Sequence, residues 1–433
     1  MSEGKTQREE PVSFGEAFRF WVKLGFVNFG GPAGQIAIMH RELVERKRWV
    51  SENQFLRALN FCMILPGPEA QQLATYIGWR LHGTLGGVVA GVFFVLPSIF
   101  VLLLLSYLAA AYSEVKAITG LLYGIQPVVV AIVLEAVLRI GRRTLRHATL
   151  VLFAVTSFVC IYFLSVPFPI VVGVAALAGF LLQFRYPTVF QPGGHGQPAA
   201  EDSHETDTKV LPPMRRNLKL LAVFLALWAV PVSALWMWRG GGDVLVNLAL
   251  FFTGAAFVTF GGAYSVLSYV ADIAVNHYGW LDTGQMVQGL ALAESTPGPL
   301  IMVTQYVGFL GAWKFSGPFD PLLYGTLGAL TTTYVTFLPC FLFIFLLAPY
   351  IEMLSENRRL QAALTGVTAA IVGVILNLAV YFGTHVLFPD GKLDLFALVV
   401  AVVSFIALQR FKTPMYVMVP LGALAGMIWT LAF

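Results

Sequence analysis

Charge is scarce in this chain. Of its 433 residues only 12% are charged, against about 25% in ordinary soluble domains. Lysine and arginine total 27 and aspartate and glutamate 23, leaving a net charge of +4. Scarcity on this scale excludes a soluble enzyme and a disordered chain. The small, scattered positive balance excludes a nucleic-acid partner. Cysteine is rarer still. Cys62, Cys160 and Cys340, an odd number set in apolar runs, argue against a disulfide framework or a metal cluster and read as buried free thiols. The sequence has no HExxH, CxxCH, dinucleotide fingerprint or P-loop. Enzymatic and ATP-driven readings therefore lack a motif, and no cofactor is expected. The first twenty residues, MSEGKTQREEPVSFGEAFRF, are polar and lack the apolar core of a signal peptide, so insertion falls to the first true helix.

What the chain has is apolar surface: 58% of residues are hydrophobic and the mean hydropathy is +0.76. A membrane-spanning helix takes ~20 apolar residues. The lipid bilayer is thus the first partner implied, and the fold class is an all-α polytopic membrane protein. Apolar segments fall at 14–31, 83–112, 115–138, 147–165 and 167–184, then at 218–238, 244–262, 322–350, 359–383, 394–409 and 414–432. A tail, 1–13, precedes them. Residues 185–217, rich in Pro, Gly and acidic side chains, read as a flexible linker between a first repeat, 14–184, and a second, 218–433. His195 and His204 in that linker read as solvated. Trp49, Trp236, Trp238 and Trp280 lie near segment ends and read as interface anchors.

The division into repeats rests on an internal match. Phe26-Val27-Asn28-Phe29-Gly30-Gly31 aligns with Phe257-Val258-Thr259-Phe260-Gly261-Gly262 at an offset of 231. The same offset pairs Trp49 with Trp280, Gln54 with Gln285, and Pro66-Gly67-Pro68 with Pro297-Gly298-Pro299. Without a gap, 26–68 against 257–299 has 12 identities in 43 positions. Glycine and proline motifs kept in register mark a tandem duplication. Segment 218–238 has no counterpart and is an extra helix.

Residues 52–81 and 283–314 are apolar enough to enter a bilayer, yet Pro-Gly-Pro cuts each in two. Proline removes a donor and clashes with the preceding turn. Each segment is then either one broken spanning helix or a re-entrant hairpin. Irregular backbone at membrane depth is tolerated only where it is buried in protein or lines a watery cavity. Counting each broken segment as one span gives six in the first half and seven in the second, about 13 in all. With the N-terminus inside, the basic residues Arg139, Arg142, Arg143 and Arg146, the linker, Arg358-Arg359, and Arg410 with Lys412 all fall inside, and the halves are inverted. Arg41, Arg46, Lys47 and Arg48 dissent, falling outside. With the broken segments counted as hairpins, the halves become parallel.

Duplicated halves broken at matching places point to a transporter's binding site. Free N–H groups and the helix dipole favour an anion at a helix N-terminus. Gly30-Gly31 precedes an expected helix 33–48, Gly261-Gly262 precedes 264–276, and Pro68 and Pro299 sit where the second half-helices begin. A lone Gly-Gly reads first as a packing device; Gly-Gly and Pro-Gly-Pro recurring together read as a site. The candidate binding residues are Asn28, Gly30, Gly31, Pro66, Gly67, Pro68 and Gln71 in the first half. In the second they are Thr259, Gly261, Gly262, Ser295, Thr296, Pro297, Gly298 and Pro299. Arg57 is the candidate cation, its fork of donors suiting an oxyanion. Glu69 and Glu294 are candidate proton carriers, since burial disfavours the charged carboxylate. Gln72 is a further neutral donor, while Lys23 and Arg80 lie near helix ends. Glu135, inside an apolar run, reads as the partner of Arg139 at i+4. These residues alone specify a small anion and leave a gradient-following channel, a carrier of another small anion and a homo-oligomer open.

The motifs FVNFGGPAGQIAIMHRELVERKRW, LPGPEAQQLATYIGWRLHGTLGG, FVTFGGAYSVLSYVA and ESTPGP resemble those of the chromate ion transporter family in its long, two-domain form. The resemblance covers nearly all of the chain outside the tail and linker. It implies a bacterial inner-membrane exporter of chromate, with sulfate as the structural analogue and proton coupling. It also implies about 13 spans in two duplicated halves of opposite orientation. The halves depart from each other where Pro32 is answered by Ala263 and Glu69 by Leu300, so carboxylate roles do not transfer between them.

Overall fold

The computed structural model describes residues 12–190, 212–355 and 357–432. The tail up to residue 11 and linker residues 191–211, with His195 and His204, lie outside the described residues. The described chain is helical throughout, without a strand. Among the described residues six helices are long and apolar enough to cross a membrane, and four shorter apolar helices accompany them. Apolar side chains such as Leu152, Val174, Leu225, Val403 and Ile428 stand exposed on the outer helices, as a lipid-facing surface requires.

Each half opens with two helical hairpins. In the first, α1 (Phe14–Val27) is followed by α2 (Gly31–His40), which widens through Arg41–Arg46. The two run back to back: Lys47 Nζ lies 2.8 Å from Glu16 Oε1, and the Trp49 and Phe20 rings are 5.3 Å apart. Segment 14–31 is therefore one arm of a hairpin, where the sequence reading counted it as a span. α3 (Glu52–Cys62) and the first arm of α4 (Glu69–Ala111) make the second hairpin around Pro66-Gly67-Pro68. Phe61 and Tyr76, five residues before the motif and eight after it, are 5.8 Å apart. A collinear broken helix would hold them much farther apart. Of the two readings left open for 52–81, the hairpin is the one that forms. α4 breaks again at His82-Gly83 and its second arm returns along the first. A Cβ on Gly86 would lie 2.3 Å from the Gly78 carbonyl oxygen, so only glycine permits this approach.

The second half repeats the design after the extra helix α8 (Met214–Arg239). α9 (Val244–Val258) and α10 (Ala263–Ala271) form its first hairpin, and α10 widens through Asp272–His277, 231 residues after Arg41–Arg46. α11 (Thr283–Ser295) and α12 (Val303–Lys314) form the second, with Gly289 against the Tyr306 ring. The local chemistry recurs with the offset. Ser51 and Asp282 each cap the next helix, with Gln54 and Gln285 closing the capping box. Arg48 and Gly279 both take positive φ, 53° and 60°. The tryptophans differ: Trp280 is buried against Phe252 and Tyr278, not an interface anchor, whereas Trp236 and Trp238 are exposed. Trp49 is partly buried beneath Lys47. Of the thiols, Cys62 and Cys340 are buried and Cys160 only partly so; all three are free.

Further helices complete each half: α5 (Lys116–Thr144), α6 (Ala148–Tyr162) and α7 (Phe168–Leu182), then α13 (Pro321–Leu347), the short α14 (Ile351–Ser355), α15 (Arg358–Leu387), α16 (Leu395–Arg410) and α17 (Met415–Ala432). They exchange partners. α6 and α7 of the first half flank α15 of the second, α16 and α17 flank α5, and α5 packs on α15. The halves are thus interlocked rather than docked.

Candidate oxyanion site at the crossed hairpin tips

The four hairpin tips meet, and they meet crosswise. The Gly67 N–H donates to the Thr259 carbonyl oxygen at 2.7 Å, and the Gly298 N–H to the Asn28 carbonyl oxygen at 3.3 Å. These are the same bond made twice, since Thr259 answers Asn28 and Gly298 answers Gly67 at the offset of 231. Each Pro-Gly-Pro tip of one half thereby closes on the Gly-Gly tip of the other. Gly67 and Gly298 take φ of +123° and +114°, a region essentially reserved for glycine. Side chains are equally restricted: a Cβ on Gly67 would meet Gln72 and Cys340 at 2.8 and 2.9 Å, and one on Gly298 would meet Ser98 at 2.7 Å.

The crossing brings helix N-termini together. α2 starts after Gly30, α4 after Pro68, α10 after Gly262, and the turn Leu300–Met302 leads into α12 after Pro299. No side chain caps any of the four. Their first N–H groups are free to meet an anion.

Most of the residues singled out from sequence gather here. Asn28 is fully buried, its Nδ2 donating to the Phe94 carbonyl oxygen. Gly30 and Gly31 open α2 with positive φ, as Gly261 and Gly262 do before α10. Thr259 is buried, its hydroxyl donating to Ala255. Pro66 accepts from Gln72 Nε2, and Gln71 Nε2 donates to Thr75 Oγ1. Ser295 and Thr296 turn their hydroxyls back to the Leu292 and Ala293 carbonyls, so they shape the break before Pro297-Gly298-Pro299 instead of pointing a donor outward. Glu69, at the head of α4, is half-buried and faces Gly262: its Oε1 lies 3.9 Å from where a Cβ there would stand. Glu294, 3% exposed, accepts a hydrogen bond from the Tyr264 hydroxyl. Both carboxylates therefore address the second-half Gly-Gly tip.

Arg57 is not brought in. It stands exposed on α3. Lys23 and Arg80 are likewise exposed, on α1 and toward the end of α4's first arm. Glu135 and Arg139 form the i+4 pair expected, 3.6 Å apart.

Sequence reasoning missed three residues. Gln35 is 1% exposed and donates to both the Asn28 and Gly298 carbonyls, at 2.9 and 2.6 Å, stitching the crossing shut. Ser98 lies under Gly298. Tyr264 holds Glu294. The signal for Gln35 and Tyr264 was a polar side chain in an apolar helix within four residues of a Gly-Gly pair, with no match in the other repeat: Val266 answers Gln35 and Ala33 answers Tyr264. Ser98 carried no such signal. The side-chain oxygens of Asn28, Gln35, Gln71, Gln72 and Ser98 are buried without hydrogen-bond partners. Polar capacity of this kind at the tips is what native interiors rarely leave unused. A separate cavity of about 210 Å³, lined by Ser268, Asp272, Asn377 and Tyr381, includes none of the candidate binding residues.

A family model for the chromate transporter matches residues 15–180 and 246–427. The chain is 33% identical over 368 residues to a chromate transport protein of Pseudomonas aeruginosa, covering 84% of this chain and 80% of that one. It is 28% identical over 413 residues to a probable chromate transport protein of Synechococcus elongatus, covering 95% and 94%. It is 27% identical over 411 residues to a chromate transport protein of Cupriavidus metallidurans, covering 94% and 91%. No solved structure gives a significant match.

Proposed function

The chain belongs to the chromate transporter family, and from that premise we propose that it is a multi-pass secondary transporter of the bacterial inner membrane. It exports chromate, takes sulfate as the tetrahedral analogue, and couples export to the proton gradient. The observation that carries the reading is the crossed pair of bonds, Gly67 N–H to Thr259 and Gly298 N–H to Asn28. It clusters four uncapped helix N-termini between two homologous halves, the arrangement in which discontinuous helices hold anionic substrates near the bilayer midplane.

The halves are inverted. With two hairpins in each half, the first repeat crosses the membrane four times, through the second arm of α4 and through α5, α6 and α7, and α8 adds a fifth crossing. An odd number of crossings turns the second repeat over. The thirteen segments then comprise nine crossing helices and four re-entrant hairpins. This arrangement also removes the one conflict in the charge pattern. Arg41, Arg46, Lys47 and Arg48 return to the N-terminal side, with Arg139, Arg142, Arg143, Arg146, Arg358, Arg359, Arg410 and Lys412. Contacts at both ends support it. Phe14 meets His82 and Arg216 meets the Phe345 carbonyl at one end; Tyr107 meets Trp313 and Arg239 meets Tyr324 at the other.

The oxyanion binds beside the Gly261-Gly262 tip, where the α10 N-terminus, Glu69 and Glu294 converge. Glu69 and Glu294 carry the coupling protons, and a change in the tip contacts alternates access. Radiolabelled chromate and sulfate flux in proteoliposomes tests this. Accumulation against a concentration difference, present only with an imposed pH gradient, is the expected result. Flux that merely follows the anion's own gradient overturns coupling in favour of a channel, and no flux of either anion overturns the substrate.

A further inference from the structure

One side of α10 and its widened end is polar from the tip to the surface. Tyr264, Ser268, Asp272 and Asn276 follow at four-residue intervals, the spacing that puts side chains on one face of a helix. Their order is also one of depth. Tyr264 is 5% and Ser268 8% exposed, while Asp272 and Asn276 stand open to solvent. At the deep end the Tyr264 hydroxyl donates to the buried Glu294. At the open end Asn276 Nδ2 donates to Asp272 Oδ1 at 2.9 Å.

The cavity of about 210 Å³ runs along this line. Ser268, Asp272 and Asn276 form one wall, Asn377 and Tyr381 of α15 the other, and Ser165 closes it from the turn between α6 and α7. α15 keeps step with α10. A Cβ on Gly261 would stand 2.7 Å from Ile371, and six residues beyond Ile371 the Asn377 Nδ2 donates to Ser268 Oγ at 3.3 Å. The cavity therefore follows both helices outward from the Gly-Gly tip. Liquid water takes ~30 Å³ per molecule, so several fit. Polar side chains at membrane depth mark the route of an ion or a proton.

The walls suit a proton better than an anion. Asp272 is the carboxylate among them, Tyr269 and Tyr381 are the other titratable groups, and among the described residues no lysine, arginine or histidine lines the cavity. A dianion would meet repulsion there. The line also belongs to one half. At the offset of 231, Ala33 answers Tyr264, Ala37 answers Ser268 and Met63 answers Glu294. The anion-facing tips are duplicated; the polar line and its carboxylate are not.

We infer that this cavity is the proton's entrance, with Asp272 as the outer acceptor and Ser268 and Tyr264 as the relay to Glu294. This deepens the transport reading above and rests on it. In inverted halves Asp272–His277 lies on the face opposite Arg41–Arg46, so the entrance opens away from the N-terminal side. The lining ends at Ser268, one helical turn, about 5–6 Å, from Tyr264. Ser268 accepts from Asn377 and keeps its own O–H to donate across that turn. Protonated Asp272 gives its proton to cavity water. The water hands a proton through the Ser268 hydroxyl to the Tyr264 oxygen, as the Tyr264 proton passes to Glu294. Asp272 is left a carboxylate, Glu294 becomes neutral and both hydroxyls are restored. Of the helices packed on α11, α4 carries Glu69 and α5 the Glu135–Arg139 pair; none of these lines the cavity.

The test uses the full chain in proteoliposomes and reads two fluxes. Exchange of labelled for unlabelled chromate at equal pH follows the anion alone, because the loaded carrier cycles without a proton. Chromate accumulation under an imposed pH gradient needs the proton as well. Asp272→Asn should slow pH-driven accumulation about tenfold and Ser268→Ala severalfold, with exchange unchanged. Asp272→Glu should restore most of the pH-driven rate. Ser268→Trp, which fills the cavity, should abolish pH-driven accumulation and spare exchange. Wild-type pH-driven rates in Asp272→Asn and Ser268→Ala would overturn the assignment. Loss of exchange together with pH-driven flux in Ser268→Trp would make the cavity the anion's own exit and overturn it too. If Ser268→Trp does not fold, Asp272→Asn, nearly isosteric and on the surface, decides. A wild-type protein that exchanges chromate but ignores the pH gradient, or that carries no chromate, would overturn the transport reading itself and this inference with it.

Discussion

Replacing Gly298 with alanine should break the crossing, and the structure sets the size of the effect. The residue holds φ of +114°, where a side chain adds strain of about 1–3 kcal/mol. The new methyl would stand 2.7 Å from Ser98 Cβ and 2.9 Å from its Oγ, and such overpacking costs a further ~1–3 kcal/mol. Any shift that relieves the clash stretches two bonds, Gly298 N–H to Asn28 and Gln35 Nε2 to the Gly298 carbonyl, each contributing about 0.5–1.5 kcal/mol. The low end of the sum is ~3 kcal/mol. Gly31→Ala is the control. Its φ is +64° with nothing within 4 Å of the added methyl, so it should cost only about 1–2 kcal/mol. Thermal unfolding followed by tryptophan fluorescence, alongside efflux from proteoliposomes, should rank Gly298→Ala well below Gly31→Ala in both. Adding Ser98→Gly removes the contacting atoms and should recover the overpacking share but not the strain. Equal behaviour of the two alanine variants, or no recovery with Ser98→Gly, would refute the reasoning.

Gln35→Leu should cost about 1–3 kcal/mol and reduce transport, because it strips a donor from two buried carbonyls; wild-type unfolding would show that the stitch carries nothing. Tyr264→Phe should destabilise by a similar ~1–3 kcal/mol by leaving the buried Glu294 without its hydroxyl partner. Adding Glu294→Leu should then restore stability but not proton-coupled flux, and failure to restore it would place the damage elsewhere. Arg48→Gly should stabilise by about 1 kcal/mol, since the left-handed conformation that Gly279 takes freely is strained for arginine; a lower melting temperature contradicts this. Single cysteines at Ser51 and Asp282, the equivalent caps of the two repeats, should be labelled by an impermeant thiol reagent from opposite faces of the membrane. Labelling from one face would make the halves parallel.

Much of the architecture was legible in the residues because it is written in local chemistry. A single proline is carried inside helices here, as Pro97, Pro127 and Pro339 are, but two prolines bracketing a glycine leave no helical path, so Pro66-Gly67-Pro68 and its repeat announced interrupted helices. The capping residues Ser51 and Asp282 carry their helix starts with them. The Glu135–Arg139 pair follows from helical spacing alone. Whether a broken helix continues or turns back is not local. It depends on what the second arm finds to pack against, here Phe61 on Tyr76 and Gly289 on Tyr306. The charge pattern at Arg41–Arg48 was the visible sign that segment 14–31 turns back as one arm of a hairpin.

By itself the sequence determined the class of this protein, its duplication and the motifs that would meet. Periodicity, hydropathy and backbone-restricting residues act within a few neighbours and survive any tertiary arrangement. Tertiary structure alone decided which tips meet. Gly67 closes on Thr259 rather than on its own half's Gly-Gly, because the terminal helices exchange partners and carry each half across the other. It also decided which charges face the crossing. Arg57 stands exposed on α3 while Glu69 and Glu294 face the Gly262 tip, since the direction of a side chain is set by the rotation of its helix against helices distant in sequence.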